Sequence, residues 1–317
     1  MTTALVFPGQ GSQAIGMGQA LAASFAEARE VFEAVDDALS MKLSQLMKDG
    51  PEADLTATRN AQPAIMAVSL AAFAVMQKQM GFALPAGAAY VAGHSLGEYS
   101  ALTAAGALTV AEAARLLRTR GEAMQAAVPA GQGGMVAIIG PELQAVEAIV
   151  AEARKRAPAG EVIEIANHNS TNQIVLSGSA RGMEMAIAVA KESDAKRALP
   201  LPVSAPFHCS LMAPAATVMA QALAASGLKA PVVPLIANVT ADLARDPVEI
   251  KALLVRQVTG MVRWVDSVAR MKALGVTRVI EIGHGNVLAG LIKRIAPEMA
   301  VVNIGTPADL ESYSKAA

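Results

Sequence analysis

The chain has 317 residues, 53% hydrophobic and 17% charged, a balance that excludes a disordered polypeptide and fits a folded body packed with alanine-rich helices. That length accommodates one large domain, or a large one with a smaller companion, around a sizeable core. A formal net charge of -1, with no arginine-rich or aromatic-interleaved stretch, gives no reason to expect a nucleic acid partner.

Strand and helix signals alternate from the start. Residues 4–7 form a short β-type run stopped by Pro8 and Gly9, and the N-terminus has neither a basic n-region nor a cleavage site, so no secretion signal is expected. Residues 19–48 are helix-patterned throughout. A long helix is predicted over 60–80, with Ile65, Val68, Ala72 and Val75 on its apolar face and Gly81 as its stop. The longest apolar run, 64–76, lies within it; interrupted by Ser69 and too short to span a bilayer, it reads as buried helix. A strand, Ala89-Tyr90-Val91-Ala92, leads to a helix starting near Ser95. Thr109 caps a further helix to about residue 127, its apolar face including Val110, Ala114 and Leu117.

From Pro129 the texture changes. A strand over 135–139, a helix with Pro141 at its first position, strands over 162–166 and 174–176 around the polar turn Asn169-Ser170-Thr171-Asn172, a helix over 182–192 and a strand over 197–201 give the order βαββαβ. That order is the ferredoxin-like split unit. It predicts a small domain, 129–203, inserted between two segments, 1–128 and 204–317, of a larger α/β body. Beyond it, 211–225 is helical, 232–237 is a strand, two helices run to 274 and 279–282 is a buried strand. A helix over 286–295 and a strand over 300–304 close the body. The single cysteine, Cys209, cannot form an internal disulfide, which points to a reducing compartment. A soluble, cytoplasmic protein with no membrane partner is expected.

The segment Gly93-His94-Ser95-Leu96-Gly97, directly after the 89–92 strand, has the pattern of a nucleophile elbow. A serine hydroxyl needs positioning and a proton acceptor before it attacks, and a sharp strand-to-helix turn supplies the positioning. Flanking glycines are required because a Cβ would collide with the neighbouring strand or helix, and the free N–H groups of the following helix point to where an oxyanion would form. Gly9-Gln10-Gly11-Ser12-Gln13-Ala14 matches the dinucleotide fingerprint, yet 28–46 has helical spacing where that fold needs a second strand. Close backbone approach to the serine, with one N–H forming half of an oxyanion hole, suits the loop better. Gly283-His284-Gly285-Asn286 lacks the Lys and Ser/Thr of a phosphate loop.

Four histidines could serve as base: His94, His168, His208 and His284. His94 adjoins the serine and should point away from its Oγ, His168 lies in the inserted unit and His284 sits in a glycine-flanked turn. His208 follows the insertion, where a cleft between domains would form, and position favours it without excluding the others. No pair has zinc-ligand spacing, so no metal is expected. Arg120 precedes Gly121 and reads equally as a helix C-terminal cap or as a partner for an anion.

Seven ordered segments of the chain resemble the malonyl-CoA:acyl carrier protein transacylases of bacterial fatty acid synthesis, over essentially the full length. They are Phe7-Pro8-Gly9-Gln10-Gly11-Ser12-Gln13, Gly93-His94-Ser95-Leu96-Gly97-Glu98-Tyr99, Arg120-Gly121 with Met124-Gln125, Phe207-His208-Cys209, Asn238-Val239-Thr240, Gln257 with Val262-Arg263-Trp264, and Glu281-Ile282-Gly283. The resemblance implies an α/β, hydrolase-like body whose mainly parallel sheet is flanked by helices, plus the inserted ferredoxin-like subdomain. It also implies Ser95 as nucleophile, His208 as base, the backbone N–H groups of Gln10 and Leu96 as oxyanion hole, and Arg120 as partner of the malonyl carboxylate. The main-chain carbonyl of Gln257 would orient the histidine, giving a Ser–His dyad without a carboxylate. The reaction implied is ping-pong transfer of malonyl from malonyl-CoA to the phosphopantetheine thiol of acyl carrier protein through a malonyl-serine, by a monomer without a cofactor. The family often has Gly-Pro-Gly where this chain has Gly283-His284-Gly285, which puts that local turn in doubt.

Several residues keep two readings. Phe207 resembles the aromatic that crowds an α-methyl group in malonyl-selective members, or is ordinary core. Asn167 and Asn169 line the cleft from the inserted unit, or are turn residues. Lys191, Lys196, Arg197, Lys293 and Arg294 are candidate docking cations for an acidic carrier protein, or a solvated face. Trp264 and the sixteen methionines read as core. The alternative functions are a serine acyl hydrolase or editing thioesterase, a polyketide-pathway acyltransferase, and a carrier-binding scaffold with a dead site, against which the intact Ser95, His208 and Arg120 set stands.

Overall fold

The computed structural model describes residues 2–203 and 205–316. Its strands are β1 (Thr2–Phe7), β2 (Tyr90–Gly93), β3 (Gly133–Ile139), β4 (Ile163–Ser170), β5 (Gln173–Ser179), β6 (Arg197–Pro200), β7 (Leu235–Ile236), β8 (Leu243–Ala244), β9 (Val276–Ile282) and β10 (Ala300–Ile304). They form a six-stranded sheet in the order β10-β9-β1-β2-β7-β8 and a four-stranded sheet in the order β4-β5-β3-β6. In the larger sheet only the β7–β8 pairing is antiparallel.

The continuous apolar run of β1 suits a strand buried on both faces of a parallel sheet. Leu5 and Phe7 belong to one core layer, while Ala4 and Val6 belong to the other. Phe7 is in register with Gly93, so the glycine loop after β1 and the elbow after β2 emerge side by side at the carboxyl edge, where open α/β sheets place their sites. Over the first layer lies the helix Thr58–Met80, buried along most of its length and ended by Gly81 in the left-handed conformation. The helix Val110–Ala126 starts at Thr109 with a capping box to Glu112.

The four-stranded sheet is antiparallel throughout. One face, with Val136, Ile138, Ile174 and Leu176, packs against the helices Leu143–Arg156 and Ala180–Lys191 in a core of its own. The other face presents Met135, Ala137 and Val175 to the main core, so this sheet roofs the larger one. Element order and strand order are those of the ferredoxin-like unit.

Five local expectations are corrected. The helical pattern over 19–48 is three helices, Gln19–Ser24, Ala26–Leu39 and Leu43–Asp49, interrupted where Phe25 is extended (φ -132°) and where Ser40 turns left-handed (φ 50°). Pro141 lies outside its helix, which begins at Leu143 after Glu142. Asn169 and Ser170 are in β4, leaving Thr171 and Asn172 as the turn. The strand expected over 232–237 shrinks to β7, because the Val232 N–H is bonded to Ala105 and Pro234 has no N–H to offer. A C-terminal helix, Pro307–Ala316, follows β10 unanticipated. In the doubtful turn, Gly283 (φ 139°) and Gly285 (φ 83°) both adopt backbone that favours glycine. His284, half-buried there, lies outside the cavity around Ser95.

Candidate active site

Ser95 sits immediately past β2 at φ 53°, a left-handed conformation that a non-glycine residue holds only when its surroundings impose it. Those surroundings are tight. A Cβ on Gly93 would land on the Gly97 carbonyl, and one on Gly97 would land on the Phe7 carbonyl. Gly9 also has no room for a side chain, since its Cβ would come 2.7 Å from the His94 carbonyl oxygen. The Asn238 side chain braces the turn by accepting from the Ser95 N–H (2.8 Å) and donating to the Gly93 carbonyl (2.7 Å). The backbone N–H groups of Gln10 and Leu96 donate to no other group among the described residues, and both residues border the cavity around Ser95.

The Ser95 hydroxyl donates to Nε2 of His208 (2.8 Å) and accepts from Nη2 of Arg120 (3.0 Å). His208 Nδ1 in turn donates to the main-chain carbonyl of Gln257 (2.8 Å), which leaves Nε2 as the acceptor. A carbonyl thus stands where a triad would have a carboxylate. Burial, then the Arg120 charge, pull the pKa of His208 down to about 3, so the ring is neutral and its Nε2 can accept a proton. Other histidines do not reach the serine. His94 Nε2 bonds to Asn169 (2.8 Å) with its ring tilted against Trp264, and His168 lies on β4.

Arg120 is 1% exposed, placed by the helix Val110–Ala126 with its guanidinium against the serine. Nη1 donates to Gln62 (2.8 Å) and Nη2 also to the side-chain oxygen of Gln257 (2.9 Å). It makes no ion pair among the described residues, and its Nε has no partner. The helix-cap reading of Arg120 fails, because the helix continues to Ala126.

These groups open on a cavity of about 450 Å³. Gln10, Ser95, Leu96 and Arg120 form one wall; Asn167, Asn169 and Val175 of the four-stranded sheet form the opposite one, with Phe207 and His208 at the junction. Asn167 and Asn169 therefore line the cleft, from a strand rather than from a turn. Phe207 both borders the cavity and packs into the main core. All five candidate docking cations are exposed. Only Arg294 approaches the site, bordering a second cavity of about 440 Å³ that shares Gln10, His94, Asn169 and Gln173 with the first. Sequence reasoning gave no role to Gln62, Glu98 or Asn238. The last two stand within the matching segments, but nothing in a single sequence distinguishes a buried polar contact from a solvated side chain. Among the described residues no cluster of His, Cys, Asp and Glu is placed to hold a metal ion.

A family model described as an acyl transferase domain matches residues 4–305. A malonyl CoA-acyl carrier protein transacylase of Bacillus subtilis (strain 168) is 43% identical over 308 residues, covering 97% of this chain and 95% of the relative. A crystal structure of an acyl-carrier-protein-S-malonyltransferase from Bartonella henselae superposes with a TM-score of 0.96 at 50% identity, covering 100% of this chain and 99% of that one. A holo complex of a type II PKS acyl-carrier protein with its malonyl-transacylase contains a chain that superposes with a TM-score of 0.95 at 38% identity, with 100% of both chains covered. By length, fold and sequence, the chain belongs to the malonyl CoA-acyl carrier protein transacylases within the acyl transferase family, and is an acyltransferase.

Proposed function

We propose that this enzyme moves malonyl from malonyl-CoA to the phosphopantetheine thiol of an acyl carrier protein of fatty acid synthesis, in two half-reactions through malonyl-Ser95. The observation that carries the reading is a buried guanidinium without an ion-pair partner among the described residues, within hydrogen-bond distance of the serine hydroxyl. A malonyl thioester has a free carboxylate at neutral pH, and burying it unpaired would be strongly unfavourable. Arginine meets it with a planar fork that holds both oxygens and cannot lose its charge.

Ser95 Oγ attacks the thioester carbonyl as His208 Nε2 takes its proton, and the Gln10 and Leu96 N–H groups hold the oxyanion. Collapse expels the CoA thiol, which takes the proton back from His208. The carrier thiol then attacks malonyl-Ser95, losing its proton to His208, and the serine leaves with that proton. Phe207 crowds the position of an α-methyl group, Asn167 and Asn169 contact the pantetheine arm common to both donors, and Arg294 meets the acidic carrier beside the mouth. Among the described residues no helix is long and apolar enough to cross a membrane. The enzyme acts in the cytoplasm, as two domains, 1–128 with 204–317 and 129–203.

Mixing the protein with malonyl-CoA and no acceptor should add one malonyl mass to the Ser95 peptide, and Ser95→Ala should abolish it. Label on Cys209 would overturn the assignment, and rapid release of free malonate would favour a hydrolase. Comparing carriers from fatty acid and polyketide synthesis identifies the acceptor.

A further inference from the structure

Beneath the elbow, two buried polar side chains take no part in the proposed proton transfers. Glu98, in the first turn of the helix Gly97–Ala104, is 1% exposed. One of its oxygens accepts from the Asn238 N–H (2.6 Å) and the other from the side-chain amide of Gln257. That amide also donates to the Ser95 carbonyl (2.9 Å), while its oxygen accepts from Arg120 Nη2 (2.9 Å). An unbroken path therefore runs from Glu98 through Gln257 to the guanidinium beside the nucleophile. Burial pushes the Glu98 carboxyl above the usual carboxylate range, opposed by the Asn238 and Gln257 N–H groups and the Arg120 charge; with an N–H donor on each oxygen, the pocket is built for the ionised form. An apolar side chain would fill the same space without that penalty, so the carboxyl is there for its two acceptors.

We infer that Glu98 is a positioning residue for recognition of the diacid: through the side chain of Gln257 it sets where the Arg120 guanidinium sits. This rests on the malonyl reading above. Turned over, the Gln257 amide would aim N–H groups at a guanidinium that can only donate. Arg120 has few other restraints: Nη1 holds Gln62, the guanidinium lies 6.0 Å over the Tyr99 ring, a contact that does not fix its rotation, Nε holds nothing among the described residues, and the Ser95 hydroxyl must be free to react.

Glu98→Gln keeps the shape but turns one acceptor into a donor, which must face either Asn238 N–H or the Gln257 amide. Acylation of Ser95 by malonyl-CoA should slow about 10–100-fold, the range for a lost hydrogen bond to a charged group, and acetylation from acetyl-CoA only a few-fold. The kcat/KM preference for malonyl should therefore drop about three- to thirtyfold. In a Gln257→Met background, Glu98→Gln should change that preference no further, because the path is already cut. Equal losses with both donors, or an additive loss in the double variant, overturn the inference. Should Glu98→Gln fail to fold, Gln257→Met alone decides: an unchanged preference overturns it. A parent enzyme that malonyl-CoA does not acylate overturns the malonyl reading and this inference with it, whereas a normal parent with unresponsive variants overturns the inference alone.

Discussion

The two walls of the cavity are built on different terms. On the elbow side, backbone conformation does the placing: β1 and β2 end in register, three glycines admit contacts that a Cβ would forbid, and Asn238 bonds the turn on both flanks. The roof of four antiparallel strands offers Met135, Ala137 and Val175 as surface and meets the body through few polar ties. These include His94 to Asn169 (2.8 Å), the Val262 backbone with Ala166 and His168, and Ser210 with Glu164. The difference teaches that reactive geometry depends on atoms that cannot move apart, while the enclosing wall is shape over which small changes spread.

A matched pair of glycine substitutions should break that comparison most sharply. Gly93→Ala should abolish acylation and lower stability by about 3 kcal/mol or more, since backbone stands where the methyl must go. Gly134→Ala on β3, whose nearest obstacle is a methionine side chain at 3.8 Å, should leave melting temperature and activity near the parent values. Next in size, His208→Ala should slow acylation by on the order of 10²–10⁴ in stopped-flow measurements, and His94→Ala by less. Arg120→Ala should lower the malonyl-to-acetyl kcat/KM ratio by roughly two orders of magnitude, with Arg120→Lys intermediate. An equal decline with both donors would make Arg120 structural.

The lowered pKa of His208 has two consequences of opposite sign. Acylation should hold nearly level from pH 7 to 5, because the native ring stays neutral where an ordinary histidine has already taken a proton. Stability should fall over the same interval, because the unfolded chain takes up that proton near pH 6.5 and the native state does not. The loss from this group is about 2 kcal/mol at pH 5, so thermal melts of His208→Gln should show a shallower acid slope. Smallest is the effect expected on the roof. Asn169→Ala should raise KM for malonyl-CoA a few-fold and leave kcat nearly unchanged; a hundredfold fall in kcat would mean that the roof shares in positioning the chemistry.

What the sequence made legible follows from how local each signal is. The elbow is a five-residue pattern, and alternating strand and helix runs announced both sheets. The break at Phe25 was hidden because apolar spacing continues across it, with Leu21, Ala28 and Phe32 all buried on the same side. The final helix has a readable start in Thr306-Pro307-Ala308-Asp309, where the Thr306 hydroxyl accepts from the Asp309 N–H (3.2 Å) and the Asp309 carboxylate accepts from the Thr306 N–H (2.9 Å). Gln62, Glu98 and Asn238 were illegible for another reason. Their partners lie tens of residues away or more in the chain, so only folding distinguishes them from solvated residues.

The position of β1 also bears on how the chain is made. Its two neighbours in the sheet are β2 and β9, and β9 leaves the ribosome long after β1 and β2. At about 5–20 residues per second, the apolar first strand waits roughly ten to forty seconds with one edge unsatisfied. During that interval it is an open template for a neighbouring nascent chain. The glycine loop that borders Ser95 hangs from this same strand, so its setting is secured on one side by a neighbour close in the chain and on the other by one far downstream.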